Sequence, residues 1–420
     1  MTRAQKNADS VCEVPVELSM RKNLVWSSSG ALFKTMCNWL MTVFVVRLSS
    51  GFDEAGILAL AMSISNFVFP IAEYRLRTLQ VTDIRGVMTS RHYLGLRVVT
   101  SLTALIIGSV YSLVTTSLAA ASVIVVYLVS QIVATYLEGF HATEQVAKRM
   151  DYIGISYILQ GAGGLAAFLV GFVLFDTLFA AVVLYTIANI FVALVYDVPR
   201  AKRFGSIRPM LRGTKPALTL LRLLPLATVN TALSVVTLVP RQYLSAQLGQ
   251  EALGIYASVA APAVIIQACA GYLYTPLLGH LVETFMTDRR RALWLLGKIA
   301  LLFAGLGIVA ATVFWIAGDF LLSALFGADI LSHTDLIQPV VLFSLITAFV
   351  WFFNDLLLGL RDYLGCLCGG LIAVGTTLVI TPSVTEHYGL NGPSAAGVIA
   401  SVVTLAVMTG FLARHFNSYK

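Results

Sequence analysis

Charge is what this sequence has least of. Only 12% of its 420 residues are Asp, Glu, Lys or Arg, about half the usual share in soluble domains. So little charge cannot clothe a water-facing surface of this size, which excludes a soluble globular protein. Period-two alternation of apolar and polar residues is absent, which argues against a β-barrel. The chain has no Walker A loop, no HExxH and no GxSxG. It therefore lacks the usual phosphate cradle, zinc-hydrolase helix and nucleophile elbow, and we expect neither an enzyme nor a cofactor. Cysteine is scarce: Cys12, Cys37, Cys269, Cys366 and Cys368. No pair is expected to face an oxidising compartment, so no disulfide is expected. Cys366-x-Cys368 has no nearby His or third Cys to complete a metal site. The first twenty residues lack the apolar core of a signal peptide, and the first apolar run reads as a retained signal anchor.

What is there is apolar length. Hydrophobic residues make up 58% of the chain and mean hydropathy is +0.84. The apolar residues fall in runs of about twenty, the length a helix needs to cross a bilayer. We expect an all-α membrane protein of about twelve spans. They cover 23–48, 55–74, 95–114, 118–140, 152–175 and 178–198, then 220–244, 252–281, 294–315, 337–360, 365–382 and 392–413. The segment 318–335 is half apolar and reads as a re-entrant or interfacial piece.

Charge tests this map independently. With the N-terminus placed in the cytoplasm, all 28 Lys and Arg except Lys34, Arg47 and Arg241 fall on the cytoplasmic side. The outer loops carry acids instead, among them Asp53, Glu54, Asp176, Glu251 and Asp335. That split is what insertion produces when span count and orientation are right, and it places both termini in the cytoplasm. The net charge of +7 thus reflects topology, and no nucleic-acid partner is expected.

The chain divides near its middle. A cytoplasmic tail (1–22) precedes a six-helix lobe (23–198). A linker rich in Lys, Arg and Pro (199–218) joins it to a second six-helix lobe (219–413), which a short tail (414–420) follows. Six spans per half give both halves the same polarity, so a pseudo-twofold axis along the membrane normal would relate them. A trace of the repeat survives. Arg47 and Gly51-x4-Gly56-Ile57-x-Ala59 recur as Arg241 and Gly249-x4-Gly254-Ile255-x-Ala257, the glycines at a constant offset of 198. Between spans two and three, Arg75 to Arg97 reads as a short amphipathic helix along the cytoplasmic leaflet.

Lys34 is the sharpest candidate. It falls near mid-membrane, where a cation is costly unless it meets water, a partner or a bound anion. Ser27, Lys34, Asn38 and Thr42 form one stripe on the first span. Arg222, Asn230, Ser234, Thr237 and Arg241 form another on the seventh, the equivalent first helix of the second half. These stripes suggest that the two helices face each other across a water-filled cleft, in which Lys34 meets a charged substrate. Arg77 is a further candidate for phosphate, or for a lipid headgroup. Glu73 and Glu138 read as interfacial pairing partners. A lone snorkelling lysine and simple interfacial arginines are the bland alternatives.

The first span, Arg47 and the Gly51-x4-Gly56 turn, followed by Tyr74-Arg-Leu-Arg-Thr-Leu-Gln-Val-Thr-Asp83 and Tyr93 to Arg97, resemble the opening of bacterial polysaccharide transporters. These are the Wzx-type O-antigen flippases of the multidrug/oligosaccharidyl-lipid/polysaccharide exporter superfamily. The resemblance implies two six-helix lobes around a basic cavity, in the bacterial inner membrane. It further implies a cargo of undecaprenyl-pyrophosphate-linked sugar repeat units moved by alternating access. Membrane lipids, a polysaccharide polymerase and glycosyltransferases would be partners. A multidrug antiporter of the same superfamily is the alternative, and it would need an acidic cavity. An integral membrane glycosyltransferase or polymerase would need larger outer loops than this chain has.

Overall fold

The computed structural model describes residues 17–83, 88–211 and 215–418. Most of the expected N-terminal tail, residues 84–87 of the expected amphipathic stretch, 212–214 of the linker and the last two residues lie outside the described residues. Among the described residues every regular element is a helix. In chain order these are α1 (Met20–Leu48), α2 (Asp53–Glu73), α3 (Leu76–Thr82), α4 (Ser90–Thr115), α5 (Leu118–Val146), α6 (Met150–Phe175) and α7 (Leu178–Val192). A π-helical turn (Ala193–Asp197) and α8 (Val198–Ala201) follow. Then come α9 (Lys215–Ala260), α10 (Val264–Thr287), α11 (Arg289–Phe326), a 3-10 segment (Ala328–Leu336), α12 (Ile337–Gly359), α13 (Tyr363–Tyr388) and α14 (Gly392–Ser418).

Among the described residues, ten stretches are long and apolar enough to cross a membrane, or eleven with the bent α10. Two of them contain a break in the backbone. The 45 residues of 216–260 would reach about 68 Å against about 30 Å of hydrocarbon. The backbone breaks at Gly249, with φ 91° and ψ 172°, a conformation that needs glycine. The stretch 363–414 breaks likewise at Gly389, φ 53°, in a 3-10 turn. Cut at these two turns, and with the short piece after Gly249 joined to α10 as one broken span, the described residues make twelve spans.

Three local expectations change. The eighth span is interrupted by a turn at 261–263 and then bends by 50° between Val264–Thr275 and Leu277–Thr287; Pro276, which offers no amide to the helix ladder, sits at the bend. The segment 318–335 is not re-entrant. α11 continues through it to Phe326, burying Leu322 and Phe326, before the 3-10 turns begin. The segment after α2 does not lie along a leaflet as far as it is described. α3 packs on α5, with Leu76 and Gln80 buried and Gln80 Nε2 donating to Gly139 O.

The helices group into two compact units, 1–41 with 68–224 and 42–67 with 225–420. In the first, α1 crosses α6 at glycine. A Cβ on Gly154 would lie 2.7 Å from the Trp26 carbonyl carbon, and one on Gly161 would lie 3.0 Å from Lys34 Cα. Small residues let two backbones touch, the usual basis of helix association in lipid. Asn23 pins the start of α1: its amide donates to the carbonyls of Leu18 and Lys148 and accepts from the Met150 N–H. The basic linker is docked on α4, with Met210 N–H donating to Arg91 O at 2.9 Å.

The second unit has an aromatic core. Phe303, Phe349, Phe352 and Tyr274 meet edge to face or tilted, at centroid distances from 4.8 Å upward. One end of it holds the sequence repeat. A Cβ on Gly56 would overlap the Gln250 carbonyl, and one on Gly254 would overlap the Phe52 carbonyl. The repeat maps 52 onto 250 and 56 onto 254, so each contact is the other's copy, as across a local twofold. Arg47 closes the same region by donating to the Ser323, Ala324 and Leu325 carbonyls in the last turn of α11; Ser323 O also accepts the capping N–H of Gly327, and the end of a helix leaves carbonyls such as the other two without an intrahelical donor.

Candidate functional site

Lys34 lies midway along α1, about 21 Å from either end. The glycine contacts with α6 bring this point of α1 against the polar face of α6. The ammonium donates to Gln160 Oε1 at 2.7 Å and stands 5.4 Å from the centre of the Tyr157 ring. Gln160 is held in turn by its amide's bond to Ser156 Oγ at 2.8 Å. Lys34 is half-buried and makes no ion pair with any described residue. Its direct partners are a neutral amide and a ring face.

The nearest acidic group is already occupied. Tyr157 donates to Glu138 Oε1 at 2.7 Å, and Arg77 Nη1 binds the other carboxylate oxygen. The same guanidinium reaches Tyr157 Oη and, through Nε and Nη2, Gln145 Oε1. Arg77 thus reaches from α3 into the first unit and takes up the negative charge behind Lys34. Glu138, expected from the sequence as a pairing partner, pairs with Arg77 and lies inside α5. A second shell of polar groups lies beyond. His141, one turn further along α5, has Nδ1 3.4 Å from Glu138 Oε1 and Nε2 3.7 Å from Asp197 Oδ1. Asp197 ends the π-helical turn after α7; such turns interrupt α-helices mostly where a side chain has to be re-aimed for function. Glu144 and Arg97 are also buried, and Arg97 Nη1 donates to Thr135 O at 2.6 Å.

Asn38 sits one turn along α1 from Lys34 and faces the same interior. Its Oδ1 accepts from Tyr185 Oη at 3.5 Å, and that ring stacks on Tyr127. The structure therefore brings Lys34, Asn38 and Arg77 into the first unit's polar interior. Arg222, in the first turns of α9, is exposed.

The remaining expected residues belong to the second unit. Asn230 Oδ1 accepts from Asn354 Nδ2 at 3.5 Å, beside a cavity of about 10 Å³ lined by Val229 and Cys366, room for about one water. Ser234 turns its hydroxyl to the Thr231 carbonyl. Arg241 donates to Ser63 Oγ at 3.1 Å and stands 5.9 Å from the Tyr256 ring.

Tyr157, His141, Asp197 and Arg97 were not singled out from the sequence. The fourth span was expected to stop at residue 140, which put His141 in a loop. α5 runs on to Val146, so Glu138 and His141 share a face at i, i+3. That spacing was the available signal.

No family model matches the chain, and no curated protein matches it. Solved structures do. An inward-facing multidrug resistance MATE family transporter of the MOP superfamily aligns with a TM-score of 0.67, over 95% of this chain and 100% of its own, at 12% identity. The lipid II flippase MurJ, in an inward closed conformation, aligns with 0.68 over 93% and 87%, at 8% identity. A MOP superfamily transporter from Pyrococcus furiosus, described by the reverse polarity of its binding pocket, aligns with 0.54 over 94% and 96%, at 16% identity. Identities this low carry the fold and leave the substrate open. This chain has the all-α membrane fold of the MOP superfamily transporters, a fold that serves a drug exporter and a lipid flippase alike.

Proposed function

We propose that the chain is a flippase of the bacterial cytoplasmic membrane, with both termini in the cytoplasm. Its cargo is an undecaprenyl-pyrophosphate-linked oligosaccharide repeat unit, carried across by alternating access for surface polysaccharide synthesis. The observation that carries this reading is the state of Lys34. A half-buried ammonium in mid-helix, given only a neutral amide and a ring, is incompletely compensated, and a visiting anion completes it. The carboxylate that could have neutralised it is committed to Arg77 and Tyr157. A drug antiporter for cationic compounds would have the opposite need.

In this reading Lys34 meets the pyrophosphate and Arg222 adds attraction. Asn38, Asn230 and Ser234 supply hydrogen bonds to sugar hydroxyls. Arg77 holds Glu138 and Tyr157 as the wall behind Lys34, and Arg241 keeps the outer end of its helix in place. A polysaccharide polymerase and glycosyltransferases would supply and consume the cargo.

The test is complementation of a strain lacking its own flippase, scored by surface glycan, with Lys34→Gln and Lys34→Arg at matched membrane levels. The proposal expects glycan to be lost with Gln and largely kept with Arg. Full complementation by Lys34→Gln would overturn it. Unchanged glycan together with raised drug susceptibility would favour the antiporter.

A further inference from the structure

A cavity in the second unit borders the aromatic core, sharing Tyr274 and Phe303 with it, and takes in none of the candidate-site residues. It lies between α10 and α11, with a volume of about 290 Å³. Leu277, Leu281, Ile299 and Phe303 form its walls, Lys298 brings an ammonium to it and His280 an imidazole. The volume equals that of about ten waters, yet a buried water needs two to four polar partners. Walls this apolar hold hydrocarbon better than water. The chamber also communicates with the bilayer, because Leu273, Leu277 and Leu302 on its lining are exposed at 39–45%.

The two basic residues sit at matching depth. His280 is about 10 Å from the C-terminal end of α10 and Lys298 about 14 Å from the N-terminal end of α11. Both are therefore in the half of the membrane next to the α10–α11 turn, which the charge map places on the cytoplasmic side. The Lys298 ammonium rests 3.5 Å from the centre of the Trp294 ring, one turn nearer that surface. Tryptophan prefers the headgroup level, so the stack holds the charge where lipid phosphates lie. Lys298 makes no ion pair with any described residue, and the side chain of Asp288 is turned to cap the Arg291 N–H. With Arg290 and Arg291 at the turn, positive charge outnumbers Glu283 and Asp288.

We infer that this cavity is a binding site for one anionic phospholipid of that leaflet. The phosphate sits on Lys298 and His280, and an acyl chain enters the chamber along Leu277 and Leu302. The charge count commits the site to a phosphodiester. Lys298 is the one permanent cation among the described residues that line the cavity, and a phosphodiester brings one negative charge; a pyrophosphate would bring more than these residues can match.

The test uses the full chain purified in detergent, with phosphatidylglycerol or phosphatidylcholine added, and native mass spectrometry to count retained lipids. Wild type is expected to hold one phosphatidylglycerol at least tenfold more tightly than phosphatidylcholine. Lys298→Gln should remove that preference, with the same thermal midpoint in phosphatidylcholine. Arg290→Gln should keep it, because that charge is not at the cavity. Equal retention of phosphatidylglycerol by wild type and Lys298→Gln would overturn the inference, and so would equal loss in Arg290→Gln. Should Lys298→Gln fold poorly, Leu302→Trp fills the chamber with Lys298 and His280 in place. Loss of the bound lipid then supports the site, and its retention overturns it.

Discussion

Substituting alanine for Gly56 or Gly254 sets two physical effects against each other. Alanine favours a helix over glycine by up to about 1 kcal/mol, so propensity alone predicts a more stable protein. The structure predicts the reverse. Each new methyl would overlap a main-chain carbonyl, Gln250 or Phe52, which cannot rotate away as a side chain would. The two helix starts must move apart, and overpacking of this kind costs about 1–3 kcal/mol. Destabilisation therefore wins at both positions. Gly375 supplies the control: it lies inside α13 with nothing within 4 Å of its would-be Cβ, so Gly375→Ala should be neutral or stabilising. Because one separation relieves both overlaps, the double variant should cost less than the two singles combined. The assay is thermal unfolding in detergent. At about 2–4 °C per kcal/mol for a unit of this size, each single variant should lower the midpoint by several degrees. If Gly56→Ala and Gly254→Ala behave like Gly375→Ala, or if their effects simply add, the reciprocal crossing is refuted.

Other predictions follow from single contacts. Arg77→Ala strands Glu138 without its cation and should cost about 3–5 kcal/mol; adding Glu138→Gln should recover most of the lost thermal midpoint, and a double variant no better than the single would refute the pairing. Asn23→Ala removes two hydrogen bonds between α1 and the α5–α6 turn and a third to Leu18, a loss of about 2 kcal/mol, read as faster amide exchange at Met150. Arg47→Ala takes the guanidinium away from the Ala324 and Leu325 carbonyls at the end of α11 and should speed proteolysis near 323–327. Arg47→Lys should rescue it only in part, since an ammonium cannot fork across several carbonyls as a guanidinium does.

The architecture was legible because insertion writes it into the sequence. Apolar runs gave the spans, and the exclusion of Lys and Arg from one side gave their order. Helix ends were less legible, since a membrane helix continues past the hydrocarbon boundary for as long as tertiary contacts reward it. α5 and α11 both did so, and the extension of α5 is what carries His141 and Glu144 into the buried cluster. Lys34 stood out from its depth alone. Its partners did not, because Gln160 and Tyr157 come from α6, and only the glycine contacts that seat α1 on α6 bring them within reach. Arg77 read as a surface cation because α3 looked amphipathic; its polar face turned out to meet Glu138 inside the unit. The 198-residue repeat was readable as a pattern, but its meaning was not, since a sequence cannot say that two glycines meet each other.

The most direct measurement is the affinity of purified wild type and Lys34→Gln for a pyrophosphate-bearing polyprenyl lipid. One ammonium about 4 Å from a phosphate is worth about 4 kcal/mol at an effective dielectric near 20. Solvent at a half-buried site reduces this to about 1–2 kcal/mol. The glutamine variant, which can still hydrogen-bond to Gln160, should therefore fold normally and bind about five- to thirtyfold more weakly. Equal binding by the two proteins would mean that no anion visits the lysine, and the proposed cargo would lose its basis.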